Sequence, residues 1–391
     1  MIYYTKKGSI SVEDKPFAKG GQAFIHNVLH HKALVVKIYS KLTPQKKQNL
    51  EQKIEYMVSH DPFKNSPVQI KESAVWPIES VYDAQKKWVG YVMPKVEHAI
   101  TLTKLTSGAK RLPANFLKFK VDQVNSYNTR LKVLYNISSV LSILHSNQNY
   151  TLVDIKPDNV LLTDQGLIRI IDCDSIQIGQ NKKVIHFANV TTEEFAPPEH
   201  HNKKTDFTRD YISSKWDSYQ FGVIAYTLLL NIHPFFGLTH RTRKDITSFE
   251  EYVTGGYFPH GLKKGELNMA KPHLNFSLLL SSELRNNFLK CFADGHFNPE
   301  VRPTMTEWKT VLFKEISLVD KRPMTINVNQ PSQPRKKSQN PVSPILGSNP
   351  IQSALSWPPL AQAVRTATLK KPGNLSPQSI KSMQLAAAFS P

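Results

Sequence analysis

Two short stretches carry residue types that could move a phosphoryl group. In Leu152-Val153-Asp154-Ile155-Lys156-Pro157-Asp158-Asn159, an acid, a lysine and an amide fall within six positions, and the apolar Val160-Leu161-Leu162 follows. Thirteen positions beyond Asn159, the apolar Ile170-Ile171 ends on Asp172-Cys173-Asp174. Phosphoryl transfer from a nucleotide needs such a set. One carboxylate accepts the proton of the attacking hydroxyl. A second carboxylate and an amide oxygen suit a hard divalent cation, and a lysine steadies the moving group. Taken singly, each Asp or Asn is an ordinary turn-former or cap; the ordered set points to chemistry.

Those residues need elements to hold them. Short runs rich in β-branched and aromatic residues predict strands over 8–12, 23–29, 33–39 and 88–93. Between them, 44–59 has a helical pattern with Leu50, Ile54, Met57 and Val58 on one side. Later the pattern turns helical, over 127–146, 216–230 and 281–294. A strand-rich front with one helix and a helix-rich back predict an α+β fold of two segregated lobes.

On these residues the chain resembles the eukaryotic-type Ser/Thr protein kinases. Their catalytic loop is H-R-D-x-K-P-x-N and their metal motif D-F-G. The resemblance implies a two-lobed protein-kinase-like fold, β-rich over 1–98 and helical over 99–318. It implies ATP and Mg2+ as cofactors, Asp154 as catalytic base, Lys156 on the γ-phosphate, and Asn159 and Asp172 as metal ligands. The expected reaction passes the γ-phosphoryl of ATP to Ser/Thr hydroxyls of a protein substrate. Lys37, ending Val35-Val36-Lys37, matches the ATP-binding lysine. The stretch from Phe17 to Ile25 matches the glycine-rich loop, with Ala18, Gly20, Gly21, Gln22, Ala23 and Ile25 near the nucleotide. Tyr91-Val92-Met93-Pro94-Lys95-Val96 resembles the last strand of the first lobe and the hinge. Met93 would be the gatekeeper, and the backbone of Lys95 or Val96 would bond adenine. Glu51, opening an E-x-x-I pattern, is the expected helix partner of Lys37, with Glu55 as rival. Thr192 to Glu199 resembles T-x-x-Y-x-A-P-E, with Glu199 expected to pair with Arg302. Asp217 is expected to hold the catalytic loop by its backbone.

The chain departs from the family at several places. Leu152 and Val153 replace the His and Arg of the loop, which removes the arginine that receives a phosphorylated activation-loop residue. Asp174 replaces the Gly of D-F-G, as a supplementary metal ligand or a plain surface acid. Ala18 and Ala23 replace glycines, which suits any backbone with negative φ. The Asp-Cys-Asp-Ser run resembles atypical bacterial members, some encoded beside a PP2C-type phosphatase. Two other functions use the same fold: a pseudokinase scaffold, and a small-molecule phosphotransferase of the aminoglycoside type, which shares the D-x-D ending. Lys156, Pro197-Pro198-Glu199 and Arg302 favour a protein substrate.

Composition bounds the rest. The 391 residues carry 50 Lys+Arg against 31 Asp+Glu. Nine of those cations and no acid lie in 321–391, beside 11 of the 26 prolines. Such a stretch cannot bury enough apolar surface to offset its ordering entropy. Residues 319–391 are therefore expected to be a disordered basic tail with a short helix near 379–389. It would suit nucleic acid or another acidic partner. Two cysteines exclude a disulfide framework and favour a reducing compartment. No apolar leader or spanning stretch is visible, so a cytoplasmic location is expected, although leaderless secretion would look the same.

Overall fold

The computed structural model describes residues 1–106, 112–121, 126–146, 150–188 and 190–320. The expected disordered tail and its short helix lie outside the described residues.

The first lobe is a seven-stranded antiparallel sheet. Its strands are β1 (Ile2–Thr5), β2 (Gly8–Ser11), β3 (Ala18–Lys19), β4 (Ala23–Asn27), β5 (Leu34–Tyr39), β6 (Glu79–Tyr82) and β7 (Trp88–Pro94). They lie in the order β2-β1-β6-β7-β5-β4-β3. Alternation along the central strands sorts their side chains. Val36, Val81, Val89 and Val92 cluster with Val12 and Val28 as an apolar layer. Val35, Lys37 and Tyr39 take the opposite face, paired with Met93 and Tyr91 across β7. A Cβ on Gly90 would lie 1.8 Å from the Lys37 carbonyl oxygen, so the two central strands can close beside the lysine only over a glycine.

Helix α1 (Pro44–Ser59) follows the sheet's centre, as its pattern predicts. Thr43 caps it by accepting from the Lys46 N–H, and Pro44 sits in the first turn, where it forfeits no hydrogen bond. Its buried positions are Leu50, Lys53, Ile54 and Met57, the i, i+3, i+4, i+7 stripe of an amphipathic helix.

The second lobe is built on helices Ser126–Ser146, Ser214–Leu230, Ser282–Leu289 and Met305–Asp320. Ser214–Leu230 is buried on nearly every side and forms the axis of the lobe. The helix expected over 281–294 changes at Lys290 into a π-helical turn, Lys290–Asp294. Two three-stranded ribbons complete the lobe, and of their strands only the apolar runs at 160–162 and 170–171 are marked in sequence. One pairs Ala99–Thr101, Val160–Thr163 and Ile168–Ile170. The other pairs Tyr150–Thr151, Gln177–Gln180 and Lys183–His186. Strands of two to four residues give too short a period-two signal to register in sequence. They matter because residues 152–159 and 171–176 are the connections between them. No described helix is long and apolar enough to cross a membrane.

Candidate active site

The 152–159 loop is gripped at its base by Asp217, which is fully buried on the axial helix. Asp217 Oδ2 accepts from the Leu152 N–H at 2.8 Å and from His145 Nε2 at 2.9 Å; Oδ1 accepts from the Val153 N–H at 2.9 Å. Val153 is thereby held at φ 67°, a left-handed conformation that β-branched residues avoid at a cost of roughly 1–3 kcal/mol. Its carbonyl accepts from Trp216 Nε1, Gln220 Nε2 and Thr191 Oγ1 at 2.8–2.9 Å. Its side chain is buried among Ala188, Ala196, Ile212 and Trp216. The surroundings over-determine the turn, and the turn presents Asp154.

The Asp154 carboxylate is oriented from both sides. Thr192 Oγ1 donates to Oδ1 at 2.7 Å and Lys156 Nζ to Oδ2 at 3.0 Å, while Lys156 also donates to Thr192 Oγ1 at 2.7 Å. Asn159 Nδ2 donates to the Asp154 carbonyl at 2.8 Å, which leaves Oδ1 of the amide as the acceptor end. The Ile171 N–H donates to the Asn159 carbonyl at 2.9 Å and so stitches the 171–176 segment to the loop.

Asp172 also occupies the left-handed region, at φ 56°. Its side chain is half exposed and meets Lys37 Nζ at 3.0 Å. Asp174 is neither a surface acid nor placed as a second metal ligand. It is buried, with Oδ1 accepting from Lys37 Nζ at 2.8 Å and Tyr91 Oη at 2.9 Å, and Oδ2 from Tyr39 Oη. Burial alone would raise the Asp174 pKa, but the Lys37 charge and these hydrogen bonds outweigh it and hold the pKa low. Burial likewise opposes the Lys37 charge, and Asp174, Tyr39 and Asp172 together more than restore it. Both tyrosine hydroxyls are pushed well up by burial and by the same carboxylate. Cys173, between the two acids, is buried, and its thiol donates to the Ile170 carbonyl at 3.6 Å.

The expected helix partner of Lys37 is corrected. Glu55 accepts from Lys6 at 2.5 Å and from Tyr82 Oη at 3.3 Å. Glu51 lies with it along an open groove of about 700 Å3 that also borders Tyr56, Tyr82 and His186. The reason is helical pitch: a face buried at 50, 54 and 57 turns position 53 inward and both 51 and 55 away. The inward polar residue is therefore Lys53, whose ammonium donates to the Phe187 carbonyl at 2.9 Å. Burial pushes its pKa down to about 7.

The β3–β4 hairpin places Gly20, Gly21 and Gln22 at an exposed tip. Ala18, Gly20, Gly21 and Ala23 all have negative φ, so alanine at 18 and 23 introduces no strain. Nothing lies within 4 Å of a Cβ built on Gly21, so the tip borders open space. Register pairs Ala23 with Tyr39 and Ile25 with both Lys37 and Ala18, which puts all five on one face. Met93 is buried opposite Val35 on that same face. At the hinge the Lys95 N–H is already committed to the Ala33 carbonyl at 2.8 Å, so at position 95 it is not a free donor for adenine.

Farther off, Arg302 clamps Glu199 through two parallel bonds of 2.7 and 2.6 Å, with its Nε on the Gly295 carbonyl. Three residues without a role in the sequence reasoning complete the site: Thr192, Tyr39 and Tyr91. Period-two alternation from Lys37 marks Tyr39, and the strand pairing marks Tyr91. Thr192 carries no local signal beyond its place in the 192–199 segment.

Residues 105–313, more than half of the chain, match the protein kinase domain family model, and the chain belongs to that family. It is similar to protein kinase YegI of Escherichia coli (strain K12), 22% identical over 318 residues, which cover 79% of this chain and 45% of that protein. It is also similar to myosin light chain kinase 2 of Homo sapiens, 29% identical over 150 residues covering 37% of this chain and 23% of that protein. Citron rho-interacting kinase of Rattus norvegicus is 26% identical over 136 residues, 33% of this chain and 7% of that protein. The chain thus spans less than half the length of these relatives.

Proposed function

We propose that the chain is a protein kinase that uses ATP and Mg2+ to phosphorylate Ser or Thr of a protein substrate. The nucleotide would lie between lobes 1–98 and 99–318. The observation that carries this reading is the joint placement of Asp154, Lys156 and Asn159 on one loop and Asp172 on a second, the two stitched by one backbone bond, with Thr192 reaching Asp154 from a third segment and Lys37 reaching Asp172 from the sheet. The residues fit the implied cofactor. A half-exposed carboxylate on Asp172 and the acceptor end of the Asn159 amide are a donor set for a hard cation, and open space borders Gly21 for a phosphate chain. ATP with Mg2+, when bound, supplies the phosphoryl group and neutralises its charge.

The chain's own groups supply positioning. Asp154, held in one orientation by Thr192 and Lys156, takes the proton of the acceptor hydroxyl. Lys156 offers a positive charge beside that point. Lys37 would neutralise nucleotide phosphate, and Met93 and Val35 supply an apolar wall on its face of the sheet. The Ser/Thr preference rests on Lys156, two places after Asp154, sharing Thr192 with it. The Asp-Cys-Asp-Ser run places the chain, on this proposal, with the atypical bacterial members of the family.

The test is incubation of the purified chain with γ-labelled ATP and Mg2+, followed by mapping of the modified residues. Wild type should carry label on Ser or Thr. Asp154→Ala should carry none while keeping its thermal midpoint. Incorporation by Asp154→Ala would remove Asp154 from the role given to it.

A further inference from the structure

We propose that Asp174 is the positioning residue of Lys37, supplying from the metal-motif loop the counter-charge that the first lobe's helix does not provide. Where the nucleotide is concerned, this rests on the assignment of Lys37 to phosphate; where the lysine's anchorage is concerned, it does not.

An ammonium as buried as that of Lys37 requires a fixed anion beside it, or it is lost to desolvation. The nearest regular element able to furnish one, α1, does not. Its inward stripe of Leu50, Lys53, Ile54 and Met57 contains no acid, and it brings a second buried cation instead. Glu51 and Glu55 face the groove on another side of α1. Two carboxylates reach Lys37, and they differ in kind. The Asp172 side chain is 51% exposed, whereas that of Asp174 is 8% exposed. Asp174 has both oxygens engaged, by Lys37 and Tyr91 on one and Tyr39 on the other. The tyrosines are themselves fixed, since Tyr39 stacks on Trp88 with centroids 5.6 Å apart and Tyr91 is only 1% exposed.

Labour is thereby divided between two acids in one turn. Asp172 gives Lys37 only Oδ1 and is otherwise half exposed, so its carboxylate can meet an incoming cation. Asp174 stays with the lysine whatever Asp172 does. The Asp at 174 is thus a working replacement for the family's glycine. It makes the lysine's orientation independent of any glutamate on α1.

The test compares Asp174→Asn, Tyr39→Phe, Tyr91→Phe, Glu51→Gln and Glu55→Gln in the full chain. The first readout needs no activity: acetylation of lysines by acetic anhydride, followed peptide by peptide. Lys37 should label about tenfold faster in Asp174→Asn, the scale of one lost charge-assisted hydrogen bond. In the two glutamate variants its rate should stay within about twofold, as for an exposed side chain. Labelling of the buried Lys53 monitors the fold. If Asp174→Asn exposes Lys53 as well, the tyrosine variants decide: each should raise the Lys37 rate while Lys53 stays protected. The second readout is autophosphorylation at varied ATP. Asp174→Asn should lower kcat/KM for ATP by about 100-fold, the scale of a displaced catalytic group. It should add nothing in a Lys37→Met background. Lys37 labelling unchanged in Asp174→Asn, or accelerated in Glu51→Gln or Glu55→Gln, would overturn the proposal. So would wild-type turnover in Asp174→Asn. The expected labelling pattern with no turnover in wild type would sink the kinase assignment and leave the Asp174 anchor standing.

Discussion

Replacing Asp217 by Asn tests how the 152–159 loop is held. The carboxylate is completely buried and accepts from two consecutive backbone N–H groups and from His145. Asparagine keeps the size and one acceptor oxygen but turns an NH2 toward at least one of these donors. An unsatisfied buried N–H costs about 1–3 kcal/mol, and hydrogen bonds to a charged acceptor contribute about 1.5–3 kcal/mol each. With two such bonds compromised, and some relief from no longer burying a charge, the expected loss is about 3 kcal/mol. The damage should concentrate on residues 152–159, because Val153 at φ 67° is pinned through its N–H by this carboxylate. Urea denaturation measures the first quantity, and amide exchange at Leu152 and Val153 the second. A loss below about 1 kcal/mol with both amides still protected would refute the reasoning, since a satisfied clamp cannot be removed that cheaply.

Arg302 is 1% exposed and holds Glu199 through a bidentate fork. Arg302→Ala should cost about 3–5 kcal/mol in the same denaturation assay, and Arg302→Lys should fall between because an ammonium cannot make the fork; a lysine variant as stable as wild type would argue against the fork. Acid should weaken the second lobe through its buried histidines. Burial lowers His233 to about 3 and His273 to about 4, and their ring nitrogens are used in both directions. Between about pH 6.5 and those values the unfolded chain binds protons that the folded one refuses. Each therefore removes roughly 1.4 kcal/mol per pH unit as pH falls, and its contribution is intact above pH 6.5. Denaturation midpoints from pH 7 to 4 should decline, less steeply in His273→Gln; equal slopes would remove His273 from the explanation.

The order of Asp154, Lys156, Asn159 and Asp172 is legible in sequence because phosphoryl chemistry restricts residue type and spacing together. The Glu199–Arg302 pair and the grip of Asp217 are legible only through the resemblance to the kinase family, whose motifs come in a fixed order. The orientation of α1 is where a motif and a physical pattern disagree. The E-x-x-I spacing points to Glu51, whereas the apolar stripe at 50, 54 and 57 points Lys53 inward, and burial follows the stripe. Asp174 is illegible by itself, since an acid replacing a glycine looks like a surface change until strand register brings Lys37, Tyr39 and Tyr91 around it. Strand β1, paired between β2 and β6, spans only four residues with Ile2 and Tyr4 exposed, too little for its bounds to be read in sequence.

Asp217 grips main-chain amides, and every L-residue except proline offers the same N–H. The clamp is therefore blind to the side chains above it. Positions 152 and 153 can exchange a histidine and an arginine for two aliphatic groups without slackening the backbone that carries Asp154. What the exchange removes is a cationic socket, and what it adds at position 153 is a greasy plug among Ala188, Ala196, Ile212 and Trp216. Substitutions at these two sites should be judged by volume and shape, and at 153 also by how well the residue bears a left-handed φ, whereas at position 217 no other side chain offers two anionic oxygens at that reach.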